Sequence, residues 1–109
     1  MNPVISQLTP DELKVFLEAH PDTILLDVRE DDEVAFCSLP NHVHIPMNMI
    51  PLRHNELPDG CPIVLYCHHG IRSLHSAMYL AEAGFEDLYN LKGGIDAWAL
   101  EVDPEVPRY

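Results

Sequence analysis

The sequence predicts an α/β domain with a mainly parallel sheet of about five strands, flanked by helices on both faces. Three observations predict it. Apolar runs such as Ile63-Val64-Leu65-Tyr66 show no polar alternation, the mark of strands covered on both sides. These runs alternate with segments whose apolar residues recur at helical spacing. A chain of 109 residues makes one domain and leaves no room for a second. The expected limits are 1–109 for the domain, with a core of about 4–100 and an extended tail over 101–109.

Each element has a local cause. Thr9-Pro10-Asp11-Glu12 starts a helix, with Thr9 as cap, Pro10 at the first helical position and Glu12 completing a capping box. Leu13, Phe16 and Leu17 continue it to about His20, where Pro21-Asp22 breaks it. Ile24 to Val28 reads as a buried strand, Arg29 to Phe36 as a short charged surface helix, and Val43 to Pro46 as a short strand. Met47 to Leu57 reads as irregular, interrupted by Pro46 and Pro51. Pro62 to Tyr66 is the clearest strand, followed by a tight turn over Cys67 to Gly70. Leu74, Ala77, Met78, Leu80 and Ala81 mark a helix that Gly84 stops. Asp87 to Leu91 is a further strand, Gly93-Gly94 a turn, and Ile95 to Leu100 a last short helix that packs Trp98. The proline-rich tail from Val102 to Tyr109 reads as extended, either lying over the domain surface or disordered, and its apolar and aromatic residues favour docking slightly.

Composition excludes several function classes. Lys and Arg number 6 against 18 Asp and Glu, a formal charge of −12. That balance disfavours nucleic acid and anionic membrane surfaces, both of which require clustered Lys and Arg. A small bound anion must therefore meet a positive field made locally. No apolar run approaches the length of about 18 residues needed to span a membrane. Met1 to Val4 has neither the basic nor the apolar region of a secretory leader. Three cysteines are an odd count and too few for a disulfide framework, so a reducing cytoplasm is the expected compartment.

One segment is chemically loaded: Cys67-His68-His69-Gly70-Ile71-Arg72-Ser73, between the clearest strand and the clearest helix. In parallel sheets, ligands bind at the carboxyl ends of strands. A cysteine just before a helix faces unpaired N–H groups and the positive end of the helix dipole, a setting that favours thiolate. Gly70 lets the loop curl so that successive N–H groups converge as an anion nest. The alternative is a buried, inert thiol at a strand end, the usual fate of a free cysteine. A Gly, an Arg and a Ser ahead of a helix are poor core material and good cradle material, which favours the reactive reading.

The neighbours keep two readings each. His68 and His69 set donor or acceptor preference, or fill an exposed loop. Arg72 fixes the loop by hydrogen bonds, or contacts an anion. Asp27 and Arg29, at the end of a strand parallel to the one carrying Cys67, read as an ion pair bracing the loop from below. Cys61 and Cys67 lie about 20 Å apart along an extended strand, too far for a disulfide, and Cys61 reads as structural. Cys37 is a further thiol that a neighbouring loop can bring toward the site. Cys67, His68 and His69 are metal-ligand types, but adjacent residues rarely turn toward one tetrahedral ion and no Cys-x-x-Cys partner exists. His42 and His44 share a strand face, and no metal or organic cofactor is expected.

The order of these pieces resembles the rhodanese-like sulfurtransferases in their single-domain form. The matching residues are Leu26-Asp27-Val28-Arg29-Glu30 with Glu33, Leu39-Pro40, Ile45-Pro46, and Val64-Leu65-Tyr66-Cys67 with Gly70, Arg72 and Ser73. Ala77, Leu80, Gly84-Phe85, Leu91, Gly93-Gly94-Ile95 and Ala97-Trp98 complete them. The resemblance implies that Cys67 attacks the outer sulfur of a donor such as thiosulfate, becomes a persulfide held by the loop N–H groups, and yields that sulfur to cyanide or a thiol. It places His68, His69, Gly70, Ile71, Arg72 and Ser73 in the substrate-binding or active-site loop without fixing the roles of the two histidines, and implies a structural contact at Glu33. Two alternatives stand beside it. One is a sulfur-relay or protein-interaction module whose acidic surface docks a protein donor or acceptor, with low thiosulfate activity. The other is a phosphatase or arsenate reductase, which resembles this family but uses five residues between Cys and Arg. Here there are four, His68 to Ile71, a smaller cradle suited to one sulfur atom rather than a tetrahedral phosphate.

Overall fold

Five parallel strands pair in the order β1-β5-β4-β2-β3, in a computed structural model that describes residues 5–109. Residues 1–4, the segment read above for a leader and the first residue of the expected core, lie outside the described residues. The strands are β1 Ser6–Leu8, β2 Ile24–Asp27, β3 His42–His44, β4 Ile63–Tyr66 and β5 Leu88–Leu91. The helices are α1 Pro10–Ala19, α2 Asp31–Phe36, α3 Ile50–Arg53, α4 Ile71–Glu82 and α5 Gly94–Glu101.

The sheet is centred on β4 because its four residues are all buried. Successive side chains on a strand point to opposite faces. Ile63 and Leu65 accordingly join Leu26, Val28, Ala77 and Leu80 on the α4 side. Val64 and Tyr66 join Leu13, Leu91, Ile95 and Trp98 on the side of α1 and α5. Helices thus cover both faces, and the sheet has two cores with β4 between them. The α1 capping box is formed: Thr9 N–H donates to Glu12 Oε1 at 2.9 Å, and Glu12 N–H to Thr9 Oγ1 at 3.2 Å.

Three elements differ from expectation, each for a physical reason. Strand β1 carries no apolar signal, because it is a short, largely exposed edge strand held by main-chain pairing with β5. Residues 47–57 are not irregular. They form 3-10 turns at Met47–Met49 and His54–Glu56 around α3, with Pro51 in the first turn of α3, where a missing N–H leaves no bond unmade. Helix α4 begins at Ile71, ahead of its first periodic apolar residue, because Gly70 at φ +100° turns the chain directly from the loop into the helix.

Candidate active site

The carboxyl end of β4 delivers Cys67 to the start of α4. The thiol sulfur accepts hydrogen bonds from Gly70 N–H at 3.0 Å and Ser73 N–H at 3.4 Å. Ser73 Oγ lies 3.4 Å from the same sulfur and 2.5 Å from Asn90 Oδ1. Its single hydroxyl hydrogen serves one acceptor at a time, and the shorter approach places it on Asn90. Cys67 is 1% exposed and lines a pocket of about 190 Å³ together with His68, His69, Ile71 and Arg72.

Two devices hold this loop. The first is α5, whose Ile95 N–H donates to the Cys67 carbonyl at 2.9 Å and Asp96 N–H to the His68 carbonyl at 3.2 Å. The peptide N–H groups of His68 and His69 belong to those same planar units, so they face away from α5. Gly94 makes the approach feasible. It sits at φ +66°, and a Cβ there would collide with the Cys67 and His68 carbonyl oxygens. The second is Asn90, 1% exposed on β5. Its Nδ2 donates to the Gly70 carbonyl and to Gln7 Oε1, each at 3.0 Å. At Gly70 a Cβ would lie 3.1 Å from the Leu91 carbonyl oxygen, a tight contact added to the strain of φ +100°.

The charged residues are committed to one another. Arg72 leaves the cradle and forks onto Glu33 of α2, Nη1–Oε1 2.6 Å and Nη2–Oε2 2.9 Å. Those bonds hold the Glu33 carboxyl at about 2, against 4.5 ordinarily. Arg29 is fully buried and forks onto Asp27, Nε–Oδ1 2.9 Å and Nη2–Oδ2 2.7 Å. Burial works against the Arg29 charge, but hydrogen bonds to Asp27 and Tyr109 outweigh it and keep the guanidinium protonated. It also donates to the Cys37 carbonyl at 2.6 Å, the Tyr109 hydroxyl at 2.9 Å, the Glu33 carbonyl at 3.4 Å and the Cys37 sulfur at 3.9 Å. Among the described residues, no side-chain bond joins Asp27 or Arg29 to 67–73. Their link to the loop is indirect, through the strand backbone, with Val28 N–H on the Tyr66 carbonyl at 3.2 Å, and through the Tyr109 hydroxyl that Arg29 donates to.

The two histidines separate in role. His68 is half-buried in a three-ring stack, 3.9 Å from His69 and 3.8 Å from Tyr109, the latter nearly parallel at 7°. His69 is exposed on the outside of that stack, and Ile71 on the first turn of α4 is 69% exposed. Cys37 packs in the core on the α1 and α5 side, whereas Cys67 packs on the α4 side. All three cysteines are free. His42 Nδ1 and His44 Nε2 each sit against a main-chain carbonyl, those of Leu39 and Arg29. Among the described residues no group of three or more His, Cys, Asp or Glu is arranged to hold a metal ion, and no helix is long and apolar enough to cross a membrane.

Sequence reasoning missed Asn90, Gln7 and Tyr109. A signal existed for Asn90, because a polar residue inside the strand Leu88–Leu91 must find buried partners. The assembly is a sulfur atom that accepts from two backbone N–H groups at the end of a central strand. Such a pair of donors favours negative charge on sulfur, or on a second sulfur attached to it.

Comparison with known proteins follows the same line. The profile of a family described as "Rhodanese-like domain" matches residues 9–101. A protein of Allochromatium vinosum named "Sulfurtransferase" is 34% identical over 96 residues, covering 88% of this chain and 90% of that protein. "Thiosulfate sulfurtransferase GlpE" of Coxiella burnetii is 32% identical over 77 residues, covering 71% of this chain and 72% of that protein. The crystal structure of a rhodanese-like domain protein from Staphylococcus aureus superposes with a TM-score of 0.82 at 32% identity, covering 96% of this chain and 99% of that one.

Proposed function

Because the chain belongs to the rhodanese-like domain family, we propose that it moves sulfane sulfur from a donor such as thiosulfate to a thiophilic acceptor through a persulfide on Cys67. The likeness to sulfurtransferases supports transfer of sulfur in general. The finer reading rests on one observation, the convergence of Gly70 N–H and Ser73 N–H on Cys67 Sγ.

The first half-reaction is attack by the Cys67 thiolate on the outer sulfur of thiosulfate. A new S–S bond forms, the old one breaks with its electron pair, and sulfite leaves. The enzyme persulfide carries its charge on the terminal sulfur, and the loop amides are the groups that stabilise it. In the second half-reaction cyanide, or a thiolate, attacks that terminal sulfur. Thiocyanate, or an acceptor persulfide, departs and the Cys67 thiolate is restored. No net oxidation occurs and no cofactor is called for. The free cysteines suit a reducing compartment, and the cytoplasm is the one proposed.

The decisive experiment is intact-mass and peptide mapping after incubation with thiosulfate, polysulfide and a cysteine persulfide. The expected result is a gain of one sulfur on Cys67, absent in Cys67→Ser. No gain with any of the three donors would overturn the reading.

A second reading is favoured by the charge arrangement. Arg72 and Arg29 are both neutralised by carboxylates, and the chain carries −12. A free dianion therefore meets little fixed positive charge at the loop. A sulfur-relay module serving a protein donor or acceptor would show rapid persulfide uptake from a protein persulfide and slow turnover on thiosulfate. For a phosphatase, hydrolysis of an aryl phosphate is the test, and the four-residue loop predicts none.

A further inference from the structure

Tyr109 lies 42 positions beyond Cys67 in sequence, yet it stacks on one end of the cradle loop and reaches the other through Glu33. Its ring lies flat on His68, the first residue after the nucleophile, at 3.8 Å and 7°. Its hydroxyl donates to Glu33 Oε2 at 2.6 Å, and that carboxylate forks onto Arg72, where the loop passes into α4. The same oxygen accepts from the buried Arg29 Nη1 at 2.9 Å. Phe36 meets the ring edge-on at 5.7 Å. One residue earlier, Arg108 pairs with Asp96 at 2.8 Å, and the Asp96 N–H holds the His68 carbonyl.

We propose that Tyr109 is a positioning residue for Cys67. It clamps His68 through its ring face and Arg72 through Glu33, and so fixes the span of the loop whose Gly70 and Ser73 amides reach the sulfur. The proposal rests on the reading of Cys67 as nucleophile and adds a residue that lies outside the loop itself. Segment 102–109 has no regular secondary structure; Val102 and Val106 pack it on the core, and beyond Val106 the side-chain ties of Arg108 and Tyr109 set where the ring lies. Without them His68 is free to leave the stack, and the Arg72–Glu33 pair loses a hydrogen-bond partner. The 67–70 turn can then widen, and a shift of a few tenths of an ångström suffices to weaken N–H···S bonds of 3.0 and 3.4 Å.

The test is the pH profile of Cys67 alkylation by iodoacetamide, followed by peptide mass mapping so that Cys37 and Cys61 are read separately. The groups around the sulfur are His68 and His69 of the loop, Arg72 and Ser73 of α4, Glu33 of α2, Asn90 of β5, Asp96 of α5 and Tyr109. Access changes the plateau of the profile, whereas the amide cradle sets where the rate rises. Tyr109→Ala is expected to move the rise to higher pH, so that labelling near pH 6, relative to its own plateau, falls about ten-fold. Tyr109→Phe keeps the stack and loses the hydroxyl bridge, and is expected to fall between the two. A Tyr109→Ala profile that superposes on wild type after scaling would overturn the clamp. A Tyr109→Phe profile identical to wild type, with Tyr109→Ala shifted, would overturn the two-ended form of it. Labelling needs no sulfur donor. A shifted profile in a protein that never gains sulfur would therefore sink the sulfurtransferase reading alone, and sulfur uptake with an unshifted profile would sink the clamp alone.

Discussion

Strand β4 has a cysteine just beyond each end, and the two ends of the sheet treat them oppositely. Cys61 precedes the strand, is half-exposed, and borders an open cleft of about 240 Å³ with Pro58, Gly84 and Phe85. Among the described residues no hydrogen bond reaches its sulfur. The glycines there, Gly60 and Gly84, have positive φ but open space where a side chain would go. Cys67 follows the strand, and its sulfur receives two amide donors. The glycines there, Gly70 and Gly94, are pressed against main-chain oxygens. The same residue flanking the same strand meets converging N–H groups at one end only. That end is where parallel strands feed helix starts, and unpaired N–H groups gather there.

The largest expected effect tests this contrast directly. Cys67→Ala should abolish sulfur transfer and Cys61→Ala should leave it unchanged, as read by thiocyanate formation from thiosulfate and cyanide. Retained activity without Cys67 would break the comparison outright. The next effect sets glycine against glycine. Gly94→Ala forces a methyl into two loop carbonyls as well as straining φ. It should cost about 2–4 kcal/mol of stability and remove most activity. Gly84→Ala has only the strain to bear, about 1 kcal/mol, with transfer retained. Urea denaturation of both variants reads the difference, and equal costs would show that crowding is not what separates the two ends.

A smaller effect sharpens the picture of what aims the amides. Asn90→Asp keeps the shape but loses the donors to Gly70 and Gln7, and places a carboxylate near the sulfur. Transfer should fall about 10- to 100-fold in kcat/KM, the scale of a misplaced reacting group. Activity within two-fold of wild type would remove Asn90 from the site.

What was legible in the sequence divides by distance along the chain. The burial of β4, the Cys67 turn, the α1 capping box and the Gly93-Gly94 turn are local, each set by residues within a few positions of one another. The Arg72–Glu33 fork joins residues 39 apart, and the Tyr109 bonds span 76 and 80 positions. Composition shows that such groups need partners but not which partner each finds. Strand β1 was invisible for a related reason: its stability comes from pairing with β5, not from its own Ser6-Gln7-Leu8. The Asp27–Arg29 pair was readable as a pair, because its members are two residues apart. Its main clients, Cys37 and Tyr109, were not.

The smallest expected effect concerns the Glu33–Arg72 fork, which ties the Cys67 end of the sheet to α2 and has no counterpart beside Cys61 among the described residues. Hydrogen bonds from Arg72 depress the Glu33 carboxyl in the folded state to about 2. A depressed carboxyl adds stability that is complete above its unfolded value near 4.5 and is lost as pH falls through the folded value. With Arg72 one third exposed, solvent screening reduces the contribution to about 2 kcal/mol. Wild type should therefore exceed Glu33→Gln in unfolding free energy by that amount at pH 7. The gap should narrow below pH 4.5, be mostly gone by pH 2 and close below it, where wild type carries a neutral carboxyl much like the amide. Urea titrations at pH 7, 4 and 2.5 trace it. A gap that stays constant with pH would mean that shape rather than charge holds α2 against the loop, and the charged fork would then have no part in distinguishing the two ends of β4.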